Sequence, residues 1–170
     1  MSNASTNALA IRSAERGDVP LILRFIRGLA EYEKLAHACE ATEAQLERTL
    51  FGARPVAEVV IAYRDGRPAG FALFFHNYST FLARPGIYLE DLFVDPAHRG
   101  FGVGRALLSH LAALAVEREC GRLEWSVLDW NADAIRFYER LGARAMDEWT
   151  IYRVTGDALL KLAKPDSEHA

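Results

Sequence analysis

The chain has 170 residues, of which 51% are hydrophobic and 25% charged, and its formal net charge is -3. A chain of this size buries roughly two-thirds of its unfolded surface, enough for one domain with a real core. The slight acidity argues against a dedicated nucleic-acid binder, which usually carries a clear basic excess. Cys39 and Cys120 have the spacing of neither a zinc site nor a disulfide framework and read as small buried hydrophobes in a reducing compartment. No apolar run approaches the ~18 residues of a membrane span. The opening "MSNASTNALA" lacks the basic and apolar regions of a secretory signal. The expectation is one cytoplasmic domain over 8–164, with flexible tails at 1–7 and 165–170, and neither nucleic acid nor membrane as a partner.

In chain order, Leu9–Ala14 alternates as a strand. Asp18 is placed to cap the next helix, with Pro20 in its first turn. Leu21, Ile22, Phe25, Ile26 and Leu29 then recur at helical spacing. Thr42 with Gln45 three residues on makes a capping box for a second helix. Two strands follow, over 56–63 and 69–78, joined by the Asp65-Gly66 hairpin signal. Ile87–Val94 is a further strand, closed by Asp95-Pro96. A glycine-rich loop leads into a helix with Leu107, Leu108, Leu111, Leu114 and Ala115 on one face. A strand over 122–128 precedes a short helix capped by Asn131 and ended by Gly142. Met146–Val154 reads as a last strand and 156–163 as a last helical turn or two. The order β-α-α-β-β-β-α-β-α-β predicts an α/β layered fold, a mixed, mostly antiparallel sheet with helices on both faces.

The loop Arg99–Arg105, "RGFGVGR", is the strongest functional signal. Strand, glycine-rich loop and helix N-terminus together form an anion site, because glycines admit close backbone approach and unpaired N–H groups face the charge. No Gly-Lys-Ser/Thr follows, so it is not a triphosphate loop. Gly100, Gly102 and Gly104 are spaced G-x-G-x-G rather than as a dinucleotide fingerprint. Arg99 and Arg105 flank the loop as phosphate partners. Taken alone, the loop also reads as a tight unliganded turn.

With its neighbours, the loop resembles the pyrophosphate loop of the GCN5-related N-acetyltransferase superfamily, Gln/Arg-x-x-Gly-x-Gly/Ala, with Arg99, Gly102 and Gly104 in those positions. The ordered set "AEYEKL", "YST", "IYLEDLFV", "RGFGVG", "LDWN", "FYERLGA" and "KLA" is similar to the spermidine/spermine acetyltransferase subfamily, and most of all to its thialysine acetyltransferase branch. The resemblance spans about Ile11 to Ala163. It implies acetyl-CoA as cosubstrate, held by Leu92, Phe93, Val94, the loop Arg99, Gly100, Phe101, Gly102, Val103, Gly104 and Arg105, and by Asn131, Asp133, Arg136 and Tyr138. It also implies a bulged strand near Leu92–Val94 with the pantetheine arm alongside, and a homodimer with the C-terminal strands near its interface.

Acetyl transfer to an amine needs a neutral nucleophile, a donor for the oxygen that gains charge, and a proton for the departing thiolate. An alkylammonium with pKa of about 10.4 costs roughly 4–5 kcal/mol to hold neutral at pH 7, so a carboxylate that takes its proton is useful. Glu90 is the candidate base, read as sharing a strand face with Tyr88 and Leu92; it also reads as a solvated surface carboxylate. Asp91 points the other way. Tyr138 matches the family's general acid, with Phe137 assigned to the core, although both also read as packing aromatics. Asn131 is a cap in either case, and Arg136 reads equally as a phosphate contact or a solvated side chain. Tyr32 and Glu33 match the subfamily's amine-binding pair, though Glu31, Glu33 and Lys34 also read as a solvated helix end.

One departure bears on the substrate. Ser79 and Phe81 stand where the polyamine branch has an Asp and a Trp. This favours a thialysine-like amino acid or short aminoalkyl compound over spermidine or spermine. No histidines have ligand spacing, so no metal is expected, and neither cysteine fits a nucleophile motif, so direct attack in a ternary complex is expected. A polyamine acetyltransferase, a protein or peptide acetyltransferase and a non-catalytic acyl-CoA-binding module remain the alternatives.

Overall fold

The computed structural model describes residues 8–164, so the predicted tails lie outside the described residues. The chain divides into two compact units, Met1–Ser126 and Val127–Ala170.

The first unit holds β1 (Leu9–Ser13), α1 (Val19–Tyr32), α2 (Glu43–Phe51), β2 (Glu58–Arg64), β3 (Arg67–Ser79), β4 (Arg84–Val94), α3 (Val103–Glu117) and β5 (Leu123–Trp125). Its sheet runs β1-β2-β3-β4-β5. The first four strands are antiparallel neighbours, and β5 lies parallel to β4.

Local chemistry sets the boundaries. Asp65 and Gly66 both have positive φ, 51° and 74°, the two-residue turn that matches strand twist. The Thr42 hydroxyl accepts from Gln45 N at 3.3 Å, and Gln45 Oε1 accepts from Thr42 N at 2.9 Å. This reciprocal box satisfies two of the orphan donors of α2. Asp18 corrects the sequence reading. It sits at the start of α1 but makes no side-chain cap. Its carboxylate instead accepts from both terminal nitrogens of Arg12, at 2.7 and 2.8 Å, and from Glu15 N at 2.7 Å. The bidentate guanidinium outcompetes the helix amides for the same oxygens.

Alternation along the strands divides the core between two faces. Val59, Ile61, Phe71 and Phe93 join Ile22, Leu23 and Phe25 of α1 and Leu46 and Leu50 of α2. Phe25 and Phe71 stack with ring centroids 5.5 Å apart. The alternate residues Val60, Ala62, Ala72, Ile87 and Leu89 are buried as well, and α3 packs on β2, β3 and β4 through its buried Leu107, Leu108 and Leu111. Each such large apolar side chain contributes about 1.5–3 kcal/mol. Helices therefore cover both faces, as expected.

The second unit holds α4 (Ala132–Arg140) and α5 (Gly156–Leu162). Asn131 caps α4, its side chain accepting from Ala134 N at 3.3 Å. Gly142, at φ 90°, takes the left-handed position past the helix end. The strand expected at Met146–Val154 is not formed. A ladder needs a partner backbone, and no strand lies among the described residues of this unit. Trp149, Ile151 and Tyr152 are consequently exposed. The strand expected over 122–128 is likewise cut to Leu123–Trp125.

Candidate active site

The site in the first unit is organised by an irregularity in β4. Leu73 pairs with Asp91 but Phe74 pairs with Leu89, so Glu90 is an extra residue, a β-bulge. The bulge resets the pleat. Tyr88 pairs with Phe75 and Asp91 with Leu73, on the α1 face, whereas Leu92 pairs with Ala72 on the α3 face. The expected sharing of a face by Tyr88, Glu90 and Leu92 therefore does not hold. Asp91, not Leu92, stands on the face of Tyr88. The bulge lies at Glu90, two residues before the stretch Leu92–Val94 for which the resemblance implied it.

The second consequence is an open edge. β5 pairs with β4 only at Ile87, Tyr88 and Leu89, and then stops. Asp95 N donates to Ala69 O at 2.9 Å, toward β3. Alternation then turns the amides of Leu92 and Val94 to the edge that β5 has left. An extended ligand arm can add there as a further strand. At the end of this edge, Gly100 and Gly102 have φ of 80° and 81°, a conformation that favours glycine. They turn the chain so that Val103, Gly104 and Arg105 open α3 with unpaired N–H groups. Phe101 is half-exposed beneath the Arg64 guanidinium, 3.5 Å from its ring centre.

Three carboxylates meet near the bulge. Asp91 is half-buried, and its pKa is pushed up from 3.8 to about 6. Burial is the main cause, followed by the like charges of Glu90 and Glu33. Burial also raises Glu33. Glu90 itself is exposed. Such a cluster favours a bound cation and a protonatable carboxyl.

α1 supplies the other wall. A Cβ on Gly28 would stand 2.7 Å from Phe93 Cζ, so glycine lets the helix lie directly on β4. Arg99 does not turn its guanidinium along the glycine loop. Its Nε donates to Val94 O at 3.0 Å, and the group covers the Tyr32 ring at 4.8 Å, fastening the end of β4 to the end of α1. Between them lies a cleft of about 670 Å³ lined by Arg24, Arg27, Arg99, Glu31, Glu43 and Asp95, with Tyr32 and Phe93 at its wall. Ser79 is buried and its Oγ accepts from Leu82 N at 3.3 Å. Phe81 is 97% exposed.

In the second unit, Asn131 is buried, Tyr138 half-buried, and Asp133 and Arg136 are exposed. Arg136 pairs with Asp133 across one turn of α4, and the Phe137 and Tyr138 rings lie 5.4 Å apart.

Sequence reasoning passes over Asp91 as a chemical group, and Arg24, Arg27 and Gly28 altogether. The adjacent acids "ED" are a visible signal for Asp91. The cleft arginines give no signal beyond one face of an amphipathic helix.

Residues 26–143 match the acetyltransferase (GNAT) family. The chain belongs to that family. It is an N-acetyltransferase. A bovine thialysine N-epsilon-acetyltransferase is 40% identical over 90% of this chain and 96% of its own. An L-ornithine N5-acetyltransferase, NATA1, of Arabidopsis thaliana is 36% identical over 91% of this chain and 87% of its own. Among solved structures, an integron cassette protein from the mobile metagenome of V. cholerae superposes with a TM-score of 0.78, at 29% identity, over 92% of this chain and 98% of its own. The similarity to the thialysine branch agrees with the motifs read from the sequence, as does that to a human spermidine/spermine N(1)-acetyltransferase-like protein 1, 32% identical over 96% of this chain and 25% of its own length.

Proposed function

We propose that this protein moves the acetyl group of acetyl-CoA to the side-chain amine of a small amino acid or short aminoalkyl compound, of the kind that thialysine and ornithine represent. The observation that carries this reading is the half-buried Asp91, raised to about 6, beside Glu90 and Glu33 at the open edge of β4.

Acetyl-CoA supplies the thioester. The glycine loop and the first amides of α3 suit its pyrophosphate, and the edge Leu92–Val94 suits its pantetheine arm. Leu92 N–H donates to the thioester carbonyl oxygen, the oxyanion-type stabilisation that acyl transfer needs. Asp91 and Glu33 attract the substrate ammonium beside Tyr32. Asp91 then takes its proton, with a pKa close to the working pH as general-base catalysis favours, and Glu90 at the exposed bulge passes it to water. The nitrogen forms its bond to the carbonyl carbon, the carbon–sulfur bond breaks, Tyr138 gives its phenolic proton to the thiolate, and the second proton, shed by the acylated nitrogen, restores the phenol. The roles of Tyr138, Asn131, Asp133 and Arg136 rest on the family resemblance. The family match crosses from one compact unit to the other, which supports reading 8–164 as one working domain.

The amino-acid class is preferred to polyamines because position 79 carries a buried serine engaged with Leu82 N rather than an acid for a second ammonium. A homodimer in the cytoplasm completes the proposal. The exposed Trp149, Ile151 and Tyr152 and the two free cysteines support those two points, and no helix among the described residues is long and apolar enough to cross a membrane. Light scattering tests the dimer. Thiol release from acetyl-CoA across thialysine, ornithine, lysine, spermidine, spermine and aminoalkyl phosphonates tests the substrate class. Turnover concentrated on the amino acids is expected, and turnover concentrated on the polyamines would overturn it.

A further inference from the structure

The cleft beside α1 has a charge pattern that the acetyl-transfer chemistry does not use. Arg24, Arg27 and Arg99 line it together with Glu31, Glu43 and Asp95. Among the described residues, none of these three guanidiniums has a carboxylate within 4 Å. Arg24 and Arg27 are exposed on the helix, and Arg99 is steadied by Val94 O and the Tyr32 ring. Asp95 is engaged, its Oδ1 accepting from Ala97 N at 3.0 Å. The cleft thus offers arginine forks for an anion and, in Glu31 and Glu43, carboxylates for a cation in the same space.

Its distance from the reacting end follows from the packing. Gly28 sits over Phe93. From Gly28 to Glu33 a helix rises about 7.5 Å. From Phe93 back to Asp91 the strand covers about 6.7 Å. The two elements keep step, which is why Glu33 and Asp91 feel one another's charge. A ligand with its amine at Asp91 therefore reaches the near rim of the cleft, at Gly28 and Phe93, through a chain of roughly 6–7 Å, about five bonds of ~1.5 Å in zigzag. That is the length between the terminal nitrogen and the α-carbon of an ornithine-like or lysine-like amino acid.

We infer that the cleft is the head-group site of the acceptor: Arg24 and Arg27, with Arg99 behind them, hold the α-carboxylate of an amino acid, and Glu31 and Glu43 hold its α-ammonium. This rests on the proposed small-amine acetyltransferase reading and names its substrate class, an α-amino acid with a terminal amine three or four methylenes away. The arginines select for the carboxylate and the acids reject a simple anion. A plain diamine leaves the guanidiniums without a partner. The other anion that the cleft's position near the glycine loop admits is a phosphate of acetyl-CoA, and the test separates the two.

The test compares ornithine with 1,4-diaminobutane, the same molecule without its carboxylate, as acceptors for the wild-type protein, for Arg24→Gln/Arg27→Gln, and for Arg24→Lys/Arg27→Lys. The ratio of kcat/KM for ornithine over the diamine is expected to fall roughly 10- to 100-fold in the glutamine variant, as for loss of one or two charge-assisted hydrogen bonds. The fall should come through the KM for ornithine, and the lysine variant should recover part of it. An unchanged ratio would overturn the inference. So would a rise in the KM for acetyl-CoA that is equal with both acceptors, which would assign the cleft to a cosubstrate phosphate. Calorimetric binding of ornithine separates this inference from the reading beneath it. Ornithine binding that the glutamine variant weakens, without acetyl transfer by the wild type, would uphold the cleft and sink the proposed reaction. Absence of both binding and turnover would sink both.

Discussion

Replacing Asp91 by Asn is expected to stabilise the fold while damaging activity. The Asp91 pKa is raised from 3.8 to about 6, so the folded protein holds this proton more tightly than the unfolded chain does. Between those values the folded state binds more protons, and stability contributed by this group falls as pH rises, becoming constant above about 6. The shift of about two units corresponds to about 3 kcal/mol at 1.36 per unit, an order-of-magnitude cost of keeping the carboxylate ionised in its half-buried place. Asparagine has no such cost. Urea unfolding of wild type and variant should therefore differ by up to about 3 kcal/mol near pH 7.5 and by only about 0.5 kcal/mol near pH 4, where the folded carboxyl is already protonated. Acetyl transfer by the same variant should drop roughly 100-fold, the usual worth of a general base. Equal stability of the two proteins at the higher pH, or a difference that does not shrink on acidification, would refute the reasoning.

Glu90→Gln removes a like charge from Asp91; the acidic limb of the kcat/KM profile should move to lower pH while the rate falls roughly tenfold or more. Gly102→Ala meets no neighbouring atom but must keep φ near 81°, a left-handed strain of about 1–2 kcal/mol. The KM for acetyl-CoA should rise with it, and thermal melting measures the strain directly. Gly28→Ala should lose stability despite the better helix propensity, because its Cβ would meet Phe93 Cζ at 2.7 Å; overpacking of about 1–3 kcal/mol exceeds the gain of about 1 kcal/mol, and denaturant midpoints read the sign. Tyr138→Phe should cut kcat about 100-fold with the KM for acetyl-CoA little changed, and steady-state kinetics separates the two.

Features encoded by neighbours in the chain are legible in the sequence itself. The Thr42–Gln45 box, the Asp65-Gly66 turn, the Asn131 cap and the glycine loop all depend on residues within a few positions of one another, where local rules decide. Features decided by distant partners are not legible in this way. Asp18 has the sequence of a cap, but Arg12 binds it. Met146–Val154 has the alternation of a strand, but alternation does not supply a partner. The bulge at Glu90 is a matter of register between β3 and β4, and one extra residue reverses which of two adjacent acids stands on the α1 face. That reversal is why the sequence points to Glu90 and the folded strand brings forward Asp91. The cleft arginines are hidden for a related reason: a helix face discloses that it is polar, but not which strand it overlooks.

The most direct test of the central claim is the chemical identity of the product. The purified protein would be incubated with acetyl-CoA and thialysine, and the amino acid examined by mass spectrometry and NMR. One acetyl group is expected on the side-chain nitrogen, matched one for one by free CoA thiol, with the protein itself unmodified. Unmodified thialysine under conditions where the protein turns over spermidine or acetylates a peptide, or an acetyl group retained on the protein, would contradict it.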